Sequence, residues 1–546
     1  MAAENKTVIF WGAGATAALG FRITDHHGKF IRHLTGAVEP TPLSVRIANA
    51  LGASNVAPWT SALSDLITIL GDTPEADESI ESIGPDELAA MRRSWYPGAT
   101  DDTLRKRIYA LRLVYDWPAL KKIVKICPGV AADHFTINDL FNVMDMHLPV
   151  GHGFRDDEGQ FLTARRLLGA KDALKMILLA LFYIDYQICL STKRDLINHY
   201  YDFAAALGRR MQRAAHHLSD QFNLDQPEFF RGDVSFVSLN YDPFFLWMQF
   251  VANRDLNQNP SVPHIGSPAA QLEIFHDLGH FIPSRRIGRG NPNHPWFPMN
   301  EAAAQRLNEQ DSGSKQKIRL TKFLFPHGSL CWRECPDCGK LSAYHGDTWS
   351  RFSPGLIPPP PLKIFEQNPL DSRIDGDEAK RWREGGVDAR ACLHCETLTS
   401  AHNTQTVMQS SFKQQPPSFI EEIQRDLRAT VMRADHIILM GYSLPPDDVT
   451  YRSFFAARRQ RGEGGGDAGS LVRCTVVGID SKNPGWVAPG ALNLDHFDRR
   501  SAVHAACDIF GKQNVRFFGG GVPNVFFDGA NIVTDASLEK LLNWSL

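Results

Sequence analysis

The sequence predicts an α/β fold, a doubly wound parallel sheet with a helical insertion and a small cysteine-bearing module. Three observations predict it. Six short apolar runs, residues 7–11, 234–239, 322–325, 436–440, 472–479 and 515–518, each meet a Gly, Asn or Pro signal at or near their end. The runs are continuous rather than alternating, as strands buried on both faces are. Helical patterns separate them, as crossovers between parallel strands require.

At 546 residues the chain exceeds one ordinary domain, so two domains, or one core carrying long insertions, are expected. The spacing of the runs locates the insertions. Residues 41–219 are mostly helical in pattern: Leu167, Leu168, Ala170, Leu174, Ile177, Leu178 and Leu181 recur at helical spacing. A second helix is expected over 195–218, with Arg209, Arg210 and Arg213 on its polar side. Residues 253–311, rich in His, Pro, Asn and Gly, read as a long loop region. The expected organisation is a split core, 1–40 and 220–546, with the cysteine module at about 327–400 inside it and the helical insertion over 41–219.

Bulk properties narrow the function. A formal net charge of −3 gives no electrostatic reason for direct nucleic-acid binding. The most apolar run, 176–184, is bracketed by Lys175 and Asp185 and is too short to span a bilayer, so a buried helix and no membrane are expected. Glu4 and Lys6 precede the first strand without an apolar signal region. Five of the nine cysteines fall at 331, 335, 338, 392 and 395. That clustering predicts a metal site in a reducing, cytoplasmic setting rather than a disulfide framework.

The chemistry is expected at the ends of the strands. The first run leads into Gly12-Ala-Gly-Ala-Thr16. Gly12 and Gly14 permit a tight turn and close approach of backbone to a ligand. A helix starting near Thr16 would direct free N–H groups at a pyrophosphate, and Thr16 adds a hydroxyl. A plain strand–turn–helix packed with small residues is the alternative. The acidic residue about twenty positions on that marks an ordinary dinucleotide dehydrogenase is not evident.

The second run ends in Ser238-Leu-Asn-Tyr-Asp242, where Asn240 and Asp242 alternate and share a face if the strand continues. Asn240 suits orientation of a water or a ribose hydroxyl, and Asp242 suits a carboxamide; an Asn/Asp turn is the alternative. The third run ends in Pro326-His-Gly-Ser329, and a crevice-facing His327 would serve as a base near neutral pH. Cys335-Pro-Asp-Cys338 and Cys392-Leu-His-Cys395 are two Cys-x-x-Cys knuckles, which together close a structural, four-sulfur zinc site; Cys331 and His394 are spare candidates.

Taken in order, these motifs resemble the sirtuin family: the Gly-Ala-Gly-x-Thr turn at Gly12–Thr16, Asn240-x-Asp242, His327-Gly328, the two cysteine knuckles, and Gly441-Tyr-Ser-Leu-Pro445 after the fourth run. The next run ends in Gly478-Ile-Asp480, where the family commonly offers a polar residue to the adenosine. The resemblance implies a Rossmann-like core with NAD across its crevice and a zinc-ribbon module. Gly12, Ala13, Gly14 and Thr16 would contact the phosphates and nearby ribose. Asn240 would position the water, Asp242 the carboxamide, and His327 would be the general base. Gly441, Ser443 and Asp480 would cradle the other end.

The departures select within the family. Lysine-deacylating sirtuins carry Gly-Ile-Pro, an acidic residue, Phe and Arg where this chain reads Gly20-Phe-Arg-Ile-Thr-Asp25, and Leu239 replaces their Gln. The form with Asn-Tyr-Asp and Gly-Tyr-Ser-Leu-Pro resembles the sirtuin-like NADase domains of bacterial anti-phage defence systems. The resemblance implies NAD hydrolysis, a homo-oligomer, and a HerA-type ATPase or another defence-system partner. The alternatives are a non-catalytic NAD or ADP-ribose module partnering an ATPase, and an NAD-dependent protein deacylase.

Overall fold

The computed structural model describes residues 6–37, 41–52, 57–72, 79–94, 96–130, 135–216, 231–258, 271–275, 318–334, 341–343, 350–357, 390–391, 398–399, 403–406, 418–446, 448–463, 471–529 and 531–544, with the single residues 337 and 339. In chain order the strands are β1 (Thr7–Trp11), β2 (Phe154–Arg155), β3 (Phe161–Leu162), β4 (Arg231–Ser238), β5 (Gln271–Phe275), β6 (Ile318–Leu324), β7 (Gly328–Glu334), β8 (Leu341–Ala343), β9 (Arg390–Ala391), β10 (Leu398–Thr399), β11 (Asn403–Thr406), β12 (His436–Met440), β13 (Arg473–Val477), β14 (Trp486–Val487) and β15 (Val515–Phe518). The α-helices are α1 (Thr24–Thr35), α2 (Leu43–Leu51), α3 (Ala57–Leu70), α4 (Pro85–Ser94), α5 (Asp101–Val114), α6 (Trp117–Ile126), α7 (Ile137–His147), α8 (Ala164–Thr192), α9 (Arg194–His216), α10 (Phe244–Gln258), α11 (Ser418–Met432), α12 (Val449–Glu463), α13 (Ala502–Phe510) and α14 (Asp535–Leu542).

One large sheet runs in the order β14-β15-β13-β12-β1-β4-β6-β5. Every neighbouring pair is parallel except β14 on β15, an antiparallel edge. From β1 the chain first builds β4, β5 and β6 on one side, then returns to β12 on the other. The strand order therefore reverses at β1, and the carboxyl ends of β12, β1 and β4 open on a topological switch point, where α/β sheets bind ligands. All six predicted strands belong to this sheet. β1 and β12 are buried at every residue, which is why their sequences read as unbroken apolar runs.

β5 lies in the stretch read from sequence as loop. Its sequence, Gln-Leu-Glu-Ile-Phe, alternates, with Leu272 and Ile274 buried, and it forms the edge of the sheet. An edge strand lacks the continuous apolar signature of the central ones.

The buried apolar side chains form two clusters. One covers the sheet and takes in α9, α10 and α11 to α14. The other is mainly helical, from Phe30 of α1 to Ile184 of α8. α8 supplies residues to both: Leu174, Ile177 and Leu181 to the helical cluster, Leu179, Phe182 and Tyr186 to the sheet cluster. It is 29 residues long, and by length and composition it would cross a membrane, yet 72% of its most apolar window is buried inside the protein. Arg210 of α9, expected on a polar face, pairs with Asp233 and, at 2.8 Å, with Glu539, tying α9 to β4 and α14.

β7 and β8 pair antiparallel with Glu334 opposite Leu341, and β9 and β10 pair with Ala391 opposite Leu398. Each Cys-x-x-Cys thus falls in the connection of a hairpin. Cys335, Cys338, Cys392, Cys395 and His394 themselves lie outside the described residues. Cys331 is buried, and its thiol donates to the Leu356 carbonyl at 3.1 Å.

Candidate ligand cavity at the switch point

β1 ends at Trp11, and the ladder carries the turn onward: the Gly12 N–H donates to the Met440 carbonyl at 3.0 Å, and the Gly441 N–H to the Val477 carbonyl at 3.0 Å. The helix expected from Thr16 does not form. Two short 3-10 turns, Ala13–Ala15 and Ala17–Leu19, run to Gly20 in the left-handed region (φ 97°), and α1 starts at Thr24. The N–H groups of Gly14, Ala15 and Thr16 are spent on the carbonyls of Gly441, Gly12 and Ala13. These three N–H groups are therefore satisfied within the protein, and the turn does not present an α-helix N-terminus.

The glycines serve the contact between two loops. A Cβ on Gly12 would lie 2.6 Å from the Gly441 carbonyl oxygen, and one on Gly14 would lie 2.9 Å from it. Gly441 is itself left-handed (φ 60°), and so is Leu444 (φ 49°), a costly conformation for a branched side chain held here by complete burial.

Asn240 continues from β4 and reaches into this turn. Its Nδ2 donates to the Gly12 carbonyl at 3.1 Å and to Thr16 Oγ1 at 3.2 Å. Asp242, also buried, accepts from the Phe244 N–H at 3.1 Å, and burial raises its carboxyl to about 6 against the pull of that hydrogen bond. His327 lies one layer behind. Its Nδ1 faces the Leu239 carbonyl at 3.3 Å and its Nε2 the Tyr451 hydroxyl at 2.9 Å. A carbonyl only accepts, so Nδ1 carries a proton; in the neutral ring Nε2 then accepts from the Tyr451 hydroxyl. Beyond Gly328, the next two residues brace the same segment: Ser329 Oγ and the Leu330 N–H both donate to the Tyr241 carbonyl, at 3.3 and 2.9 Å. The His-Gly-Ser stretch thus grips the backbone on either side of Asn240.

These elements enclose a cavity of about 430 Å³. That is within the usual range for small-molecule sites, about 300–1,000 Å³. Of the predicted site residues, Gly12, Ala13, Gly14, Thr16, Asn240, Asp242, Gly441 and Ser443 line it. His327 is fully buried behind the wall, and Asp480 is turned into its own loop, accepting from the Lys482 N–H and Asn483 Nδ2, each at 2.9 Å. Those bonds hold the Asp480 carboxyl below its ordinary range.

Part of the lining was not read from sequence: Arg22, His27, Asn138, Lys175 and Phe182, from the segment before α1 and from α1, α7 and α8, line the same cavity. Arg22 is paired with Asp185 of α8, whose carboxyl burial raises to about 7 despite that partner. The sequence signals a helix start there, since Thr136 and Asp139 form a capping box, but nothing in it tells which cavity that helix faces.

Fold and site together define an α/β protein with a mostly parallel, doubly wound sheet and a candidate ligand cavity at its switch point, its lining mainly apolar with a few polar groups. No protein-family model matches the chain, and no curated protein matches it.

Proposed function

We propose that the chain is a sirtuin-like NAD hydrolase that cleaves the bond between nicotinamide and ribose. The observation that carries this reading is the bridge from Asn240 to Gly12 and Thr16, which joins the two motif loops on one cavity with the buried Asp242 beside them. In the reaction, water adds to the ribose carbon as the glycosidic bond breaks, its electron pair goes to the ring nitrogen, and ADP-ribose, nicotinamide and one proton are released. The transition state is oxocarbenium-like, and the cationic leaving group needs no acid. The protein must orient the ribose, shield it from bulk water and admit one water molecule.

Asn240 is suited to fix the ribose and water, with its own amide oriented by the glycine turn. Asp242, a carboxylate in a low-dielectric wall, is suited to accept from the carboxamide and to favour positive charge nearby. His327, with Nε2 engaged by Tyr451, acts in this arrangement on the Asn240 segment; the base role expected from sequence requires it to exchange Tyr451 for the water. The two Cys-x-x-Cys spacings suit a zinc held by Cys335, Cys338, Cys392 and Cys395, whose chemistry would be structural. The motif resemblance supports a role in anti-phage defence by NAD depletion, in an oligomer or with an ATPase partner that gates activity.

The test is incubation of the purified chain with NAD, with quantification of nicotinamide and ADP-ribose, beside Asn240→Ala and with or without an acetyl-lysine peptide. Peptide-independent loss of NAD that vanishes in the variant supports the hydrolase. Loss only with peptide supports a deacylase, and NAD that binds and survives, also with the partner present, supports a binding module.

A further inference from the structure

The helical wall of the cavity has no part in the chemistry above, yet it is built as a binding surface. α1 and α7 meet there without a spacer: a Cβ on Gly28 would lie 2.8 Å from the Phe135 carbonyl oxygen and 3.3 Å from Thr136 Cα. That contact puts its flanking residues, His27 and Asn138, on one stretch of wall. His27 Nε2 and Asn138 Oδ1 are both shut off from solvent and have no hydrogen-bond partner among the described residues. Two orphaned polar atoms on residues that line one cavity ask for an explanation.

Their surroundings say what would satisfy them. Phe21, Phe141, Leu178 and Phe182 make the adjoining wall apolar, with Phe182 edge-on to the His27 ring at 5.2 Å. Burial, with Arg22 nearby, lowers His27 to about 3, so the imidazole is neutral. An amide oxygen needs a donor hydrogen, which a phosphate or carboxylate cannot supply. The group that fits is flat, largely apolar, and carries an N–H donor beside a second polar atom.

We infer that this wall is the seat of a nitrogen heterocycle of the ligand, its donor edge read by Asn138 Oδ1 and His27 Nε2. The inference rests on the dinucleotide reading above and gives it a direction. With Asn240 and Asp242 at the nicotinamide end, the helical wall takes the adenine, for which Asp480 lies outside the cavity. The carboxamide of nicotinamide offers the same donor–acceptor pair, so the test separates the two sources.

Binding is measured by calorimetry on the full chain with ADP-ribose against inosine diphosphate ribose, which replaces the exocyclic amine by a carbonyl and, like ADP-ribose, lacks the scissile bond, and with nicotinamide mononucleotide against nicotinic acid mononucleotide, which lacks the amide N–H, the mononucleotides being checked by chromatography for survival through the titration. The wild type is expected to prefer ADP-ribose over its inosine analogue by about tenfold, the scale of one net hydrogen bond. Asn138→Leu and His27→Phe should reduce that preference to within about twofold, while Asn138→Asp, which keeps the acceptor, should retain it. Melting curves check folding, and Asn138→Leu, which removes an orphaned atom, should not lower the apo melting temperature. An Asn138-dependent preference in the mononucleotide pair instead supports the same wall with the carboxamide as occupant. If ADP-ribose binds and neither pair is discriminated, the subsite is overturned and the dinucleotide reading stands. If none of the four compounds binds and NAD is not consumed, the dinucleotide reading fails and the inference with it.

Discussion

Gly14 and Gly441 touch backbone to backbone: the Gly14 N–H donates to the Gly441 carbonyl at 2.9 Å, and a Cβ on Gly441 would lie 2.1 Å from the Ala15 nitrogen. Two loops far apart in sequence are thereby locked into one floor for the cavity, and neither can shift without the other.

Gly441→Ala is expected to cost stability through both the left-handed backbone and the clash, at least about 2 kcal/mol, and to abolish ligand binding. Gly20→Ala is the control. Gly20 is also left-handed but has open space around its Cβ, so only the conformational cost of about 1 kcal/mol applies. Denaturant midpoints at constant m-value compare the two.

Asn240→Ala removes the donor to the Gly12 carbonyl and Thr16 Oγ1. A stability loss of about 1–2 kcal/mol and complete loss of NAD hydrolysis are expected. Asn240→Asp sets a carboxylate against the Gly12 carbonyl and is expected to be less stable still at pH 8. Calorimetric melts beside the nicotinamide assay check both.

Asp242 titrates in a way that makes its charge a burden to the fold. Its folded value is raised to about 6 from 3.8, so between those values the folded state holds more protons than the unfolded one, and stability falls as pH rises through that window. Asp242→Asn removes this term. The variant should be more stable than the wild type at pH 8 by on the order of 1–3 kcal/mol, with the gap closing below pH 4, while hydrolysis is lost. Urea unfolding across that pH range reads the difference.

His327 holds the Leu239 carbonyl through Nδ1, a bond that the amide of Asn can imitate. If its role is to position, His327→Asn retains hydrolysis to within about tenfold, whereas loss of a direct base costs roughly 10²–10⁴. Tyr451→Phe, which frees Nε2, should cost about 1 kcal/mol in stability. Steady-state kinetics with the two variants decide the role.

For the cysteine module, elemental analysis of the purified chain is expected to find one zinc per molecule. Cys335→Ser or Cys392→Ser should release it and lower the melting temperature, as loss of a structural zinc does.

The sequence by itself determined the sheet. The runs at 7–11 and 436–440 are apolar at almost every position because both faces of these strands are covered, and that imprint needs no tertiary information. It also placed Asn240, Asp242 and the glycines at strand ends. β5 escaped because an edge strand carries a weaker imprint. Only the tertiary structure decided what the strand ends do. The Gly12 turn curls into 3-10 turns because its N–H groups find the carbonyls of Gly441, Gly12 and Ala13 before a helix can use them. His327 stands behind the wall because Leu239 and Tyr451, far apart in the chain, converge on its ring. His27 and Asn138 become cavity residues only through the close approach of α1 and α7 at Gly28. Periodicity records whether a position is buried; which distant groups share the burial is settled by packing, and the cavity is made of such encounters.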